Sequence, residues 1–256
     1  MKHNSAHRLL ALFATGIFLT GFAAEKDDVL FRLGRNADGA AVNLCNPEDV
    51  LVMSPSAKWV KTESGADALD IDPSPGKIPV RMKQVNEKIA NLTMGSFTIE
   101  MRIFFRARDL HPEWGPKKLP YYYIVSTRND WTNGFNIGIM NRDLGLSLMK
   151  GIRWQSVNSR GLNLTKKTNC WLNLAFVYDS KEKYIAVYLD GKRMNVIKAD
   201  LAGSRSSSPM NIGGYKNHHF DGLIESLVIT PRAKSAEELS GAAGETAAGQ
   251  KKLEAL

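Results

Sequence analysis

A two-residue hydrophobic period recurs in one short run after another along this chain, and it constrains the fold more than any other feature. In FTIEMRIFF, residues 97–105, the side chains of Phe97, Ile99, Met101, Ile103 and Phe105 fall on one face, while Thr98, Glu100 and Arg102 fall on the other. GFNIGIM repeats the pattern with Phe135, Ile137 and Ile139, and LGLSLM with Leu144, Leu146 and Leu148. Successive side chains of a strand point to opposite faces, so each run reads as a strand with one buried face.

The stretch WLNLAFVYDSKEKYIAVYLDGKR, residues 171–193, joins two such runs. Leu172, Leu174, Phe176 and Tyr178 share a face, a charged turn covers 179–183, and Ile185, Val187 and Leu189 share the next face. Asp190-Gly191 then marks a tight type I′ hairpin turn, because Gly tolerates positive φ. MNVI begins a third strand, which makes a meander. HFDGLIESLVIT is a further strand, stopped by Pro231. Ser235-Ala236-Glu237-Glu238 is a capping box that starts a brief helix, and Gly241 and Gly244 follow soon after. Many short strands with almost no helix imply an antiparallel sandwich or barrel. At 256 residues, 43% hydrophobic and 23% charged, the chain can bury a full core. No composition break interrupts residues 28–240. We therefore expect one sandwich domain over residues 24–240, with Phe97, Ile99, Ile103, Leu174, Phe176, Val187 and Leu189 between its sheets.

The flanks are different. Residues 1–23 run from basic MKHNSAHR through apolar LLALFATGIFLT to GFA, the three-part plan of a secretory signal cleaved after Ala23. This predicts export to a periplasm, a cell surface or the medium. No second long apolar run predicts a transmembrane segment after signal removal. Removing the signal, with its Lys2 and Arg8, lowers the formal charge from +8 to +6. Residues 241–256 are low in aromatics and read as a frayed helix or disordered tail. Cys45 and Cys170 have no C-x-x-C spacing, so they suggest no zinc or redox motif. In an oxidising compartment they form a candidate disulfide, with two separate thiols as the alternative.

Six landmarks in order resemble the laminin G-like jelly roll of the concanavalin A-like lectin/glucanase superfamily: DVLFRL, Trp59 with GADALDID, GSFTIEMRI, WLNLAFVYD with IAVYLDGKR, NIGGY, and FDGLIESLVITPRAKSAEEL. The resemblance implies an all-β, antiparallel two-sheet jelly-roll sandwich with a short C-terminal helix. It also implies a structural calcium in some members, held partly by the Asp of an Ile-Asp-Glu element. That element reads Ile224-Glu225-Ser226 here, which leaves Glu225 as a weakened calcium candidate. No other cofactor is expected.

Glucanases of this superfamily carry E-x-D-x-x-E, which sets three carboxylates on one face of a strand. The motif is absent, as is the Q-I-H or Q-V-H strand of jelly-roll lyases. His218 and His219 are adjacent, so a strand would turn them to opposite faces. The glycines make no phosphate-binding pattern, and nucleic acid is not an expected partner. The suggestive segments are basic and aromatic. Residues 150–168 carry Lys150, Arg153, Arg160, Lys166 and Lys167 around Trp154 without an acid, and RARDLHPEWGPKKLPYYY carries Trp114. Arginine forks pair with carboxylate or sulfate. We therefore expect a non-catalytic module that recognises carbohydrate, anionic polysaccharide included, or another cell-surface ligand, through Trp114, Trp131, Arg153, Trp154 and Arg160. The alternatives are a structural or protein-binding envelope component and a polysaccharide hydrolase or lyase of unrecognised type.

Overall fold

The computed structural model describes residues 29–72, 77–106, 122–128, 133–140, 143–150, 153–159, 169–200, 205–215 and 218–239. Their strands form two sheets. The first contains β1 (Phe31–Arg35), β2 (Ala41–Asn43), β4 (Ala57–Lys61), β5 (Asp67–Ile71), β7 (Phe97–Phe105), β12 (Trp171–Asp179), β13 (Tyr184–Leu189), β14 (Lys192–Lys198) and β18 (Gly222–Thr230). The second contains β3 (Leu51–Met53), β6 (Val80–Met82), β8 (Tyr122–Ser126), β9 (Gly134–Met140), β10 (Asp143–Lys150), β11 (Arg153–Asn158), β15 (Asn211–Ile212), β16 (Gly214–Tyr215) and β17 (His218–His219). Pairing is antiparallel except for one bridge, His219 to Tyr123. The main path of the first sheet is β14-β13-β12-β7-β18-β1-β2, and that of the second is β11-β10-β9-β8-β15-β6-β3. An isolated bridge, Val42 to Val50, ties the two sheets at one corner.

The alternation explains why the sheets face each other. The seven expected core residues are all buried, from 0% exposed at Phe97 to 9% at Leu189. Phe97 of the first sheet packs on Phe135 of the second, with ring centroids 5.9 Å apart. On its other side it meets Tyr178 at 5.6 Å. Burying each such ring contributes about 2–3 kcal/mol.

Local signals act where the sequence carries them. Asp190 and Gly191 both take positive φ, 49° and 74°, as a type I′ turn requires. Ser235 and Glu238 make both capping-box bonds: the Ser235 amide donates to Glu238 Oε2 at 2.7 Å, and the Glu238 amide donates to Ser235 Oγ at 3.3 Å. The helix they start covers 236–239. A second short helix, α1 (Glu87–Ala90), is capped by Asn86, whose side chain accepts from the Ile89 amide. Asn86 also donates to Asp49, which accepts from buried Asn43 at 2.8 Å. Asn43 Oδ1 accepts from the amides of Arg32 and Cys45, both at 3.0 Å. This polar chain secures the corner where the sheets join.

The cysteine pairing is corrected. Neither Cys45 nor Cys170 is in a disulfide. Cys45 follows β2 and Cys170 precedes β12, and these strands lie four steps apart in the first sheet. Four steps are about 19 Å, whereas a bridge needs Cα atoms within about 7 Å. Cys170 instead packs half-buried against the core.

Candidate functional site

In the second sheet, the alternation that sends Ile137, Leu146 and Val157 inward turns a set of small polar residues outward. The register aligns them across strands: Arg81 pairs with Asn211, Asn211 with Ser126, Ser126 with Asn136, Asn136 with Ser147, and Ser147 with Ser156. One residue from each of six strands thus makes a continuous polar row. Gly138 and Gly145 pair beside it. A Cβ at Gly138 would lie 2.1 Å from the Tyr122 carbonyl oxygen, so this position excludes any side chain.

The middle of the row is buried: Ser126 is 0% exposed and Asn136 3%. Burial makes hydrogen bonding obligatory there. With its amide oriented by the network, Asn136 donates to Ser126 Oγ at 2.5 Å and accepts from Arg128 Nη1 at 2.6 Å. The row reaches solvent at its ends. Arg81 on β6 is exposed, and Ser156 on β11 is half-buried.

That β11 end carries two of the sequence-predicted residues. Arg153 pairs with Lys150 and Trp154 with Met149, on the strand that begins the second sheet's path. Trp114, Trp131 and Arg160 lie outside the described residues. The row itself was missed by the sequence reading. Its only signal is the Asn, Gly, Ser and Gly on the polar alternates of GFNIGIM and LGLSLM, which look unremarkable until the register joins them.

The other candidates fall elsewhere. His218 and His219 do point apart, with His219 3% exposed and His218 edge-on to Tyr123, centroids 5.7 Å apart. Among the described residues, no group of three or more His, Cys, Asp or Glu side chains is placed to hold a metal ion. Glu225, the calcium candidate, faces a cation instead: its Oε2 lies 3.3 Å from Arg102 Nε. Neither atom has hydrogen-bond geometry to a protein partner, so the contact is Coulombic.

Where β5, β7 and β18 end together, Arg106 donates to Asp221 Oδ1 at 3.1 Å and to the Ile71 carbonyl at 3.3 Å, and it pairs with Asp70. Burial alone would lower the Arg106 pKa; the hydrogen bonds it donates to Asp70 and Asp221, with their charges, outweigh that and raise the pKa overall. Burial, then the Asp221 charge, pushes the neighbouring Tyr122 hydroxyl upward. Arg106 holds three strand ends in place, and Lys58, 3.9 Å from Asp70, adds a second cation beside the two aspartates. Among the described residues, no helix is long and apolar enough to cross a membrane.

The fold has solved counterparts. The binding domain of Paraclostridial mosquitocidal protein 1 superposes with a TM-score of 0.69 at 17% identity, over 86% of this chain and 52% of that one. The binding domain of botulinum neurotoxin DC, solved in complex with SialylT, gives 0.65 at 17%, over the same shares. The same domain with rat synaptotagmin II gives 0.66 at 16%, again over 86% and 52%. The chain thus spans about half the length of these structures, and at such identities the likeness is one of fold. No curated protein matches the sequence. Residues 84–240, more than half of the chain, match the model of a laminin G-type family described as the concanavalin A-like lectin/glucanases superfamily. The chain belongs to the concanavalin A-like lectin/glucanase superfamily.

Proposed function

We propose that the protein is an exported, non-catalytic recognition module that binds carbohydrate, with a preference for anionic polysaccharide, at the β11 edge of the second sheet. The observation that carries this reading is the polar row and its register. A sandwich needs an apolar inner face, but that need does not require Asn and Ser side chains aligned across five strands, with Arg81 on a sixth, on the outer face. The ends of the row that reach solvent, Arg81 and Ser156, offer hydrogen-bonding groups to a hydroxyl-rich ligand. Its β11 end stands beside positions that supply arginine and tryptophan in sequence. Toxin binding domains solved in complex with SialylT or with rat synaptotagmin II share the fold, which is consistent with recognition.

The mechanism is stacking of a sugar ring on Trp154 plus charge-assisted hydrogen bonds from Arg153 and Arg160 to acid groups. Exposed charges are screened within about 8 Å at 0.15 M salt, whereas stacking is not. Binding to sulfated and neutral glycans, titrated against salt, separates the two contributions. Arg153→Ala with Arg160→Ala is expected to flatten the salt dependence, and Trp154→Ala to weaken binding at every salt concentration. Equal affinity for neutral and sulfated glycans would overturn the anionic preference. Release of reducing ends or unsaturated uronates would overturn the non-catalytic reading.

A further inference from the structure

We propose that the corner where the two sheets join docks the protein on an anionic lipid bilayer, with Leu44, Val50 and Val52 entering the interface and Arg32, Arg81 and Lys83 meeting the headgroups. This corner lies at the other end of the second sheet's path from β11.

The register places these residues side by side. Val42 on β2 pairs with Gly34 on β1 and, through the isolated bridge, with Val50. The Val50 carbonyl in turn accepts from the Lys83 amide at 2.9 Å. One row thus runs Gly34, Val42, Val50, Lys83 across the corner. On one side of it, Val52 pairs with Arg81. On the other side, the Arg32 carbonyl accepts from the Leu44 amide at 2.8 Å. The Leu44 side chain covers Gly34, where a Cβ would collide with it. The alternates Leu33, Ala41, Leu51 and Met82 are buried, so the row itself faces outward.

Exposure is concentrated here. Of the five large apolar side chains most exposed among the described residues, Leu44, Val50 and Val52 are three, at 53%, 54% and 52%. Apolar side chains exposed singly are ordinary on a protein surface, whereas a contiguous group marks a contact. Val42, half-buried between them, makes the stripe continuous.

Shape and charge choose the occupant. The outer faces of the two sheets point away from each other, so a surface that crosses their corner is convex and encloses no small ligand. Three half-exposed side chains offer about 300 Å² of apolar surface, well short of the roughly 800 Å² per partner of a stable protein interface. A bilayer requires neither a concave face nor that area, because apolar side chains enter it individually beside cations that meet the headgroups. Arg32, Arg81 and Lys83 are exposed, and among the described residues they have no ion-pair partner. They flank the stripe on both sides. Glu48 is an exposed acid in the adjoining loop, while Asp49 is turned to the amide groups of Asn43 and Asn86. The cations therefore outnumber the acid that faces solvent.

The test uses the chain as it stands after the expected cleavage at Ala23, which keeps every described residue and lacks the apolar run at 9–20. Its sedimentation is measured with vesicles of phosphatidylcholine alone and of phosphatidylcholine mixed with phosphatidylglycerol. Binding is expected to the mixed vesicles and to weaken as salt rises. Leu44→Ser with Val50→Ser and Val52→Ser should weaken it at least about tenfold at every salt concentration. Arg32→Gln with Lys83→Gln should weaken it about twenty-fivefold at low salt, about fivefold for each cation. All five side chains are exposed, so both variants should keep the parent's melting temperature. A polarity-sensitive fluorophore on exposed Cys45, next to Leu44, should shift to the blue on mixed vesicles in a Cys170→Ser background. Absence of binding, equal binding to both vesicles, or binding untouched by the triple serine variant overturns the proposal. A dimer that the triple serine variant does not form would assign the face to a second copy and overturn it as well. Glycan binding by that variant should equal the parent's, so the lipid surface and the β11 edge stand or fall separately.

Discussion

The two outer faces of this sandwich are built from the same alternation and have opposite chemistry. On the first sheet the outward positions carry Glu100, Arg102 and Glu225, and opposite charges neutralise each other in pairs around an open groove, Arg102 with Glu225 and Glu100 with Lys234 of the segment after β18. On the second sheet the central outward positions are Ser126, Asn136, Ser147 and Asn211, small, neutral and buried. A long charged side chain reaches a partner on the next strand and keeps part of itself near water. A short amide or hydroxyl relies on a partner at a fixed distance. The first face should therefore tolerate repacking and respond to lost charges, and the second should tolerate almost no added volume.

The sharpest separation comes from Gly138→Ala. The new methyl would sit 2.1 Å from the Tyr122 carbonyl, so the β8 and β9 backbones must part, at a cost of about 3 kcal/mol. A large fall in melting temperature is expected. A shift within error would show that the second face is not tightly built.

Arg102→Met on the first face should cost about 2 kcal/mol, because Glu225 is left partly buried without its cation. The double variant Arg102→Met/Glu225→Leu should recover most of that loss. Additive losses in the two single variants, measured by denaturant unfolding, would contradict a Coulombic pair.

The smallest effect is a pH response confined to the first face. The Ser235 backbone amide, followed by Arg232, holds the Glu238 carboxyl below its ordinary value of 4.5. A carboxyl depressed in the folded state contributes stability in full above its unfolded value and loses that contribution as pH falls through the lower folded value. Protection from hydrogen exchange, taken relative to the intrinsic rate at each pH, should thus fall at 236–239 as the pH drops below the ordinary carboxyl value, while that of the neutral row from Asn211 to Ser156 stays unchanged. An equal loss of protection in the row would remove the distinction.

Much of the architecture was legible in sequence, because period two, Asp190-Gly191, Pro231 and the Ser235 box are local signals. The ion pair between Arg102 and Glu225 was not, since it joins residues more than a hundred positions apart whose strands become neighbours only through topology. The same limit hid the polar row, which needs six registers to be seen, and misled the cysteine pairing, which rested on composition alone. Arg153 and Trp154 were picked out by charge and aromatic content. That they share an edge strand with the end of the row required the register.

The position of β18 has a consequence for how the chain is made. It pairs with β7 along its length, with β5 at Gly222–Ile224 and with β1 at Val228 and Ile229. The middle of the first sheet is therefore the last strand to be synthesised among the described residues. Until it emerges, β1, β5 and β7 have no common neighbour, and their open edges are exposed to other chains. Pairings this distant in sequence form slowly. The nascent protein is thus an open clasp for most of its synthesis, and a ribosome stalled before residue 222 should hold a chain with unprotected amides in β7, whereas the released chain should be a closed domain.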